Sequence, residues 1–233
     1  RFSILDVSEA GHQPWINNDN NTVLVFNGEI YNYIELRKEL EELGFGPFTS
    51  KTDTEVVSFS YQAWGVDCFK KFNGFWAIAI IDLECSLAIF SRDRFGKKPL
   101  YVYSSNDGEV YFSSNIKAIL TAFEDEQKKF EINEESIFLY LAYDRRNALT
   151  SSFWKDIKLL DPATTRVINL KDGNETEFKY WVLPNQRQSK SEIPFEQAME
   201  KFRELFDDAV RIRMRSDVPI AVNLSGGMDS SAI

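Results

Sequence analysis

At 233 residues, with 43% of them apolar, the chain is long enough for one large domain, or for one domain and part of another, around a real core. A net charge of -9 at pH 7 excludes general binding to nucleic acid or to an anionic membrane surface, because phosphate contacts need a positive face. Two cysteines and one histidine exclude a disulfide framework, a cysteine zinc site and an imidazole-rich metal site, so a reducing cytoplasmic compartment and small polar substrates or protein partners are expected.

The chain opens in strand-like sequence (Phe2, Ile4, Val7), followed by a turn-rich loop over 8–14 in which His12 has no nucleophile and orienter beside it. Residues 15–21 are polar and rich in Asn. A buried strand over 23–26 stops at Asn27-Gly28-Glu29. A glycine there brings a backbone amide close to a ligand and Asn27 adds a second neutral donor, the makings of an oxyanion hole. The same residues also read as an Asn-Gly turn.

A helix is expected over about 33–43, with Asn32 and Glu35 as a capping box and Gly44 as its stop. A second starts at Thr52-Asp53-Thr54-Glu55 and ends at Gly65. Asp53 there also fits as a plain first-turn carboxylate favoured by the helix dipole.

From residue 75 the rhythm becomes that of strands: 75–82 and 87–91, then 100–103 and 110–113 around Asn106-Asp107-Gly108. Sequential hairpins imply an antiparallel sheet. The apolar run 75–81 is far too short to cross a bilayer. Between the hairpins, residues 92–99 (RDRFGKKP) read as a solvated loop with four cations and one carboxylate.

Short helices over 116–123 and about 136–143 flank an acidic run, and a last hairpin spans 165–169 and 175–180. Residues 184–193 read as a linker, dividing the chain into 1–183 and 194–233. Past it, Pro194 opens an amphipathic helix with a core face of Phe195, Ala198, Met199, Phe202, Phe206, Ala209 and Val210. Arg211, Arg213 and Arg215 at its end suit the helix dipole and read as structural.

A buried strand over 220–224 then runs into Ser225-Gly226-Gly227-Met228-Asp229-Ser230-Ser231. Strand, Ser-Gly-Gly loop and helix start together present amides and hydroxyls to an anion at the positive end of a helix, a phosphate cradle. The loop lacks the lysine of the Walker motif and the glycine spacing of dinucleotide folds. Asp229 suits a magnesium ion bridging to phosphate oxygens.

Six ordered blocks now stand together: 1–6 (RFSILD) with 11–14 (GHQP), 26–32 (FNGEIYN), 52–55 (TDTE), 73–75 (NGF), 92–101 (RDRFGKKPLY) and 225–231 (SGGMDSS). They resemble the glutamine-hydrolysing asparagine synthetases over nearly the whole chain. The resemblance implies a class II glutamine amidotransferase domain over 1–183, an αββα sandwich of the N-terminal-nucleophile hydrolase type lacking its first strand. The first elements of an α/β ATP pyrophosphatase domain follow over 194–233.

By matching positions, the resemblance implies that Arg1, Glu29 and Asp53 bind glutamine and that Asn27 and Gly28 form the oxyanion hole. It likewise implies that Leu224, Ser225, Gly226, Gly227, Asp229, Ser230 and Ser231 bind the pyrophosphate of ATP, with Asp229 on Mg2+. The family's nucleophile is a cysteine a few dozen residues before the position of Arg1, and neither Cys68 nor Cys85 replaces it, so residues 1–233 alone are expected to be inactive.

The implied reaction takes aspartate, glutamine and ATP to asparagine, glutamate, AMP and pyrophosphate. Rival readings are the same fold acting on another carboxylate, as in β-lactam formation or sugar-acid amidation, and a non-catalytic amidotransferase-like binding domain. Neither nucleic acid nor membrane is an expected partner. The oligomeric state is open, a homodimer being one candidate.

Overall fold

Alternation along the strands explains the layering. In the computed structural model, which describes residues 2–19, 21–105, 107–124, 128–144, 152–185 and 193–233, nine strands form two antiparallel sheets. The first has the order β1 (Trp15–Asn17), β2 (Thr22–Ile30), β3 (Gly74–Asp82), β4 (Leu87–Arg92), β8 (Thr164–Asn169), β9 (Glu175–Lys179). The second has β6 (Val110–Ser113), β5 (Tyr101–Ser104) and β7 (Lys158–Leu159).

Successive side chains of a strand point to opposite faces. Along β3, Trp76, Ile78 and Ile80 pack with Leu36 and Leu40 of α1 (Tyr33–Glu42), with Val56, Val57 and Tyr61 of α2 (Asp53–Trp64) and with Cys68 and Phe69 of α3 (Cys68–Lys71). Ala77 and Ala79 face the other way and meet Val102 of the second sheet and Leu100 and Leu160, which flank its strands. Behind that sheet, Tyr103 and Ile157 pack on Ile119 of α4 (Ile116–Thr121) and on Phe123, and α5 (Glu134–Tyr143) follows along the chain. Helix, sheet, sheet and helix make the expected αββα sandwich. Each fully buried aromatic such as Phe26, Phe69 or Trp76 contributes about 2–3 kcal/mol by leaving water.

Several local expectations are corrected. Residues 2–7 form no strand. Phe2 instead packs edge-on against Phe75, and the Ile4 carbonyl accepts from Asp217 N–H. The polar stretch at 15–17 is a strand, because it pairs with β2 from Trp15↔Leu24 to Asn17↔Thr22.

Neither capping box closes. The Asn32 side chain bridges to the Asn73 amide and the Lys71 carbonyl instead of capping α1. At α2, Thr52 Oγ1 accepts from Thr54 N–H, while the Glu55 carboxylate takes the amides and hydroxyls of Thr49 and Ser50. Tertiary partners outcompete the local ones.

The 92–99 segment is a packed knot rather than a solvated loop. Arg92 is buried and donates to the carbonyls of Gly96, Lys98 and Leu160. Buried Asp93 accepts from the amides of Trp76, Phe95, Lys97 and Lys98.

In the C-terminal stretch, α6 (Phe195–Arg213) forms as expected, but its apolar face does not dock. Phe195, Met199 and Phe202 are exposed, and Ile212 is the helix residue that is buried. Residues 220–224 are irregular and mostly exposed rather than a buried strand, since no strand pairs with them among the described residues. α7 (Met228–Ala232) closes the chain. Among the described residues no helix is long and apolar enough to cross a membrane.

Candidate active site at the end of β2

Asn27, Gly28 and Glu29 lie toward the C-terminal end of β2, paired with Ala77, Trp76 and Phe75 of β3. Gly28 is sterically required: a Cβ there would lie 2.1 Å from the Phe75 carbonyl oxygen and 2.7 Å from Trp76 Cα. Gly74 shares the constraint, with a virtual Cβ 2.0 Å from the Glu29 carbonyl oxygen. Two motif glycines thus let β2 and β3 close to backbone contact where the polar residues begin.

The Asn27 side chain points between the sheets, where Nδ2 donates to Ser114 Oγ at 2.9 Å, just past β6. A cavity of about 290 Å³ opens there, lined by Asn27, Val25, Ala77, Leu100, Phe112 and Ser114 among others. Gln13 holds the preceding residue, accepting from Phe26 N–H at 2.8 Å and donating to Thr54 Oγ1 at 3.3 Å. An Asn fixed this way is a preorganised neutral donor, useful where negative charge develops.

Beyond Gly28 stand two buried carboxylates. Asp53, in the first turn of α2, accepts from Ile30 N–H at 2.9 Å, so it is joined to β2 and not merely a dipole partner. Burial pushes its carboxyl up to about 6, against the pull of that hydrogen bond. Glu29 is 3% exposed, and its Oε1 has no hydrogen-bond partner among the described residues. Burial, then the nearby Asp53 charge, raise Glu29 to about 7, while Arg213 of α6 draws it down. Two buried carboxylates, one oxygen unpartnered, are chemically suited to a cation that donates hydrogen bonds.

Arg1 lies outside the described residues. Neither cysteine is near this chemistry. Cys68 is buried in the helix–sheet core, where burial raises its thiol, and exposed Cys85 in the β3–β4 turn is raised by the Asp82 carboxylate. Nucleophilic thiols need the opposite shift. His12 is exposed beside a single 3₁₀ turn.

The second constellation is not brought to this site. Leu224 is exposed, and the described hydrogen bonds of the loop run within itself: Ser230 Oγ accepts from Ser225 N–H, and Ser230 and Ser231 Oγ donate to the Gly227 carbonyl. Gly226 adopts φ +78°, the left-handed turn a glycine provides. Asp229 sits in the first turn of α7, and no group of three or more His, Cys, Asp and Glu suited to a metal occurs among the described residues.

Sequence reasoning missed Ser114, Gln13 and Arg213 as neighbours of the site. Gln13 was visible as part of the GHQP block, whereas Ser114 and Arg213 come from segments far along the chain and carry no local signal.

Two antiparallel sheets between helical layers, with paired donors and carboxylates at a strand end, define a class II glutamine amidotransferase fold of the N-terminal-nucleophile hydrolase type. The chain belongs to the glutamine amidotransferase domain family, whose profile matches residues 1–181, and residues 201–233 match the asparagine synthase family. A putative glutamine-hydrolysing asparagine synthetase 2 of Methanocaldococcus jannaschii is 38% identical over 100% of this chain and 46% of its own length. Glutamine-hydrolysing asparagine synthetase 1 of Bacillus subtilis is 36% identical over 100% of this chain and 35% of its own. The chain therefore spans less than half the length of these relatives. Among solved structures, an allosteric regulatory enzyme of purine biosynthesis matches in fold with a TM-score of 0.52, at 18% identity over 78% of this chain and 34% of its own.

Proposed function

We propose that the chain is the glutamine-handling part, with the beginning of the synthetase part, of an ATP-dependent asparagine synthetase. Such an enzyme converts aspartate, glutamine and ATP to asparagine, glutamate, AMP and pyrophosphate. The observation that carries this reading is the buried Glu29–Asp53 pair, with Glu29 Oε1 unpartnered, beside the Asn27-Gly28 donors. Glutamine has an ammonium for the carboxylates at one end and a carboxamide that becomes an oxyanion at the other.

In this reading Arg1 grips the glutamine carboxylate, while Glu29 and Asp53 take the ammonium. A cysteine thiol from outside these 233 residues attacks the carboxamide carbon. As the C=O electron pair moves onto oxygen, Asn27 Nδ2 and the Gly28 amide donate to it. Collapse of the tetrahedral species expels ammonia, which takes a proton and leaves a glutamyl thioester for water to hydrolyse.

The released ammonia serves a second site in which Leu224, Ser225, Gly226, Gly227, Asp229, Ser230 and Ser231 bind ATP pyrophosphate. One carboxylate beside several hydroxyls fits magnesium that arrives with the nucleotide, and Asp229 would hold it. When bound, the ion neutralises pyrophosphate charge. The two matched families meet across 182–200, which supports a boundary at the 184–193 linker. Two unpaired cysteines support a reducing, cytoplasmic setting.

The test is Asn27→Ala in the full-length enzyme. Losing one oxyanion donor should cut glutamine-dependent synthesis by about 100-fold while ammonia-dependent synthesis from aspartate and ATP stays within about twofold. Equal loss of both rates overturns the assignment. Failure of aspartate to support either rate redirects the acceptor to another carboxylate.

A further inference from the structure

The arginines that end α6 reach back to the glutamine site. Arg215 donates to the Tyr31 carbonyl and forms a two-pronged pair with Glu35 at 2.6 and 2.7 Å. Its own side chain is largely buried although Glu35 is half exposed, and the two-pronged geometry together with the Tyr31 carbonyl makes it an anchor. Asp217 extends the anchor, donating from its amide to the Ile4 carbonyl and accepting from Asp6 N–H with its carboxylate, while Lys51 N–H, just before α2, donates to the Asp6 carboxylate. The turn from β2 into α1 is thus clamped from the far end of the chain.

Beside that anchor, Arg213 places its guanidinium carbon 4.6 Å from the centroid of the Tyr31 ring, with Nη1 donating to the Ala209 carbonyl. Tyr31 is two residues from Glu29. Among the described residues, the charged groups that act on Glu29 are Asp53 from α2 and Arg213 from α6, and Tyr31 of its own segment feels both Glu29 and Arg213. Two buried carboxylates do not both ionise at neutral pH without a nearby cation. Arg213 is positioned to be that cation, yet it belongs to the helix that leads into the Ser-Gly-Gly loop.

We propose that Arg213 is a positioning residue for the glutamine site, seated by Arg215 and acting through Glu29 so that both carboxylates are ready for the substrate ammonium. The proposal rests on the glutamine reading of Glu29 and Asp53. It also gives the end of α6 a part in glutamine binding that the dipole role of its arginines does not predict.

Arg213→Met in the full-length enzyme keeps the stem on Tyr31 and removes the charge, and Arg213→Lys restores it. We expect the glutamine KM of the Met variant to rise about fivefold at pH 7, as for a carboxylate whose ionisation moves up by about one pH unit, with kcat within about twofold. The gap should close by about pH 9, where Glu29 ionises unaided, and the Lys variant should stay near wild type. Ammonia-dependent synthesis serves as the folding control. An unchanged KM, a rise of the same size at pH 7 and pH 9, or a parallel fall in ammonia-dependent synthesis overturns the proposal. Glu29→Gln separates the two layers of argument: if it raises the glutamine KM and Arg213→Met does not, the positioning role alone fails. If Glu29→Gln leaves the glutamine KM unchanged, the glutamine reading fails and the positioning role falls with it.

Discussion

The end of β2 and the Ser-Gly-Gly loop are both short polar stretches in which glycine follows an apolar run, and the molecule treats them in opposite ways. At β2 the polar groups that have partners are held from a distance: Asn27 by Ser114, the Ile30 amide by Asp53, the Tyr31 carbonyl by Arg215. In the loop the partners of Ser225, Gly227, Ser230 and Ser231 lie within five residues along the chain. Gly28 is demanded by a neighbouring backbone 2.1 Å from where a side chain would start, Gly226 only by its own φ of +78° in open space. The first region is a site preset by packing, whose donors are aimed before substrate arrives. The second is local turn chemistry, and its order comes from itself.

The comparison breaks most directly at the glycines. Gly28→Val should destabilise the full-length protein by about 3 kcal/mol or more, because backbone of β3 and not a movable side chain occupies the space. Gly226→Ala, strained in φ alone, should cost about 1 kcal/mol. Thermal melting of both variants checks the pair, and equal costs would mean that β2 and β3 are not locked at Gly28.

A smaller effect sharpens the description of the preset site. The Glu29 carboxyl sits at about 7 in the folded chain against an ordinary 4.5, so folding takes up a proton between those values. The stability tied to the neutral carboxyl is complete below about pH 4 and is lost as pH rises through 7. Glu29→Gln, which cannot ionise, should leave the melting temperature near wild type at about pH 5 and raise it at about pH 8, by on the order of 1 kcal/mol after allowing for solvent near the site. A variant that gains nothing between the two pH values would place Glu29 in contact with water.

Much of this architecture was legible in the chain. The two helices after β2, the hairpins and the αββα class carry local patterns of period and turn. Asn27-Gly28-Glu29, by contrast, reads as the turn that ends a strand at residue 26 but lies within β2, which pairs with β3 as far as Ile30. What stayed hidden is tertiary. Glu35 and Glu55 match capping boxes in spacing but are claimed by Arg215 and by the 49–50 backbone, stronger partners with no sequence signature. Arg92 and Asp93 look like solvated charges until the carbonyls and amides that surround them are seen. The opposite error occurs at 220–224, where an apolar run reads as a buried strand but a strand exists only with a neighbour to pair it. Leu224, Ser225, Gly226, Gly227, Asp229, Ser230 and Ser231 are proposed from their own motif, whereas Ser114 and Arg213 come beside the end of β2 only in three dimensions.

The least disruptive change tests the other half of the comparison. Ser230 Oγ accepts from the Ser225 amide at 3.2 Å and donates to the Gly227 carbonyl at 3.2 Å, yet both bonds are exposed, and water replaces an exposed bond at little cost. Ser230→Ala should therefore shift the melting temperature by no more than about 0.5 kcal/mol equivalent. The same hydroxyl is a phosphate donor in the proposed synthetase reaction, so the KM for ATP of the full-length enzyme should rise several-fold with either nitrogen source. Stability and ATP affinity would then separate in this loop, as they cannot at Gly28. If Ser230→Ala instead melted the protein as Gly28→Val does, the loop would be held by the fold, and the contrast between a packed site and a self-ordered one would fail.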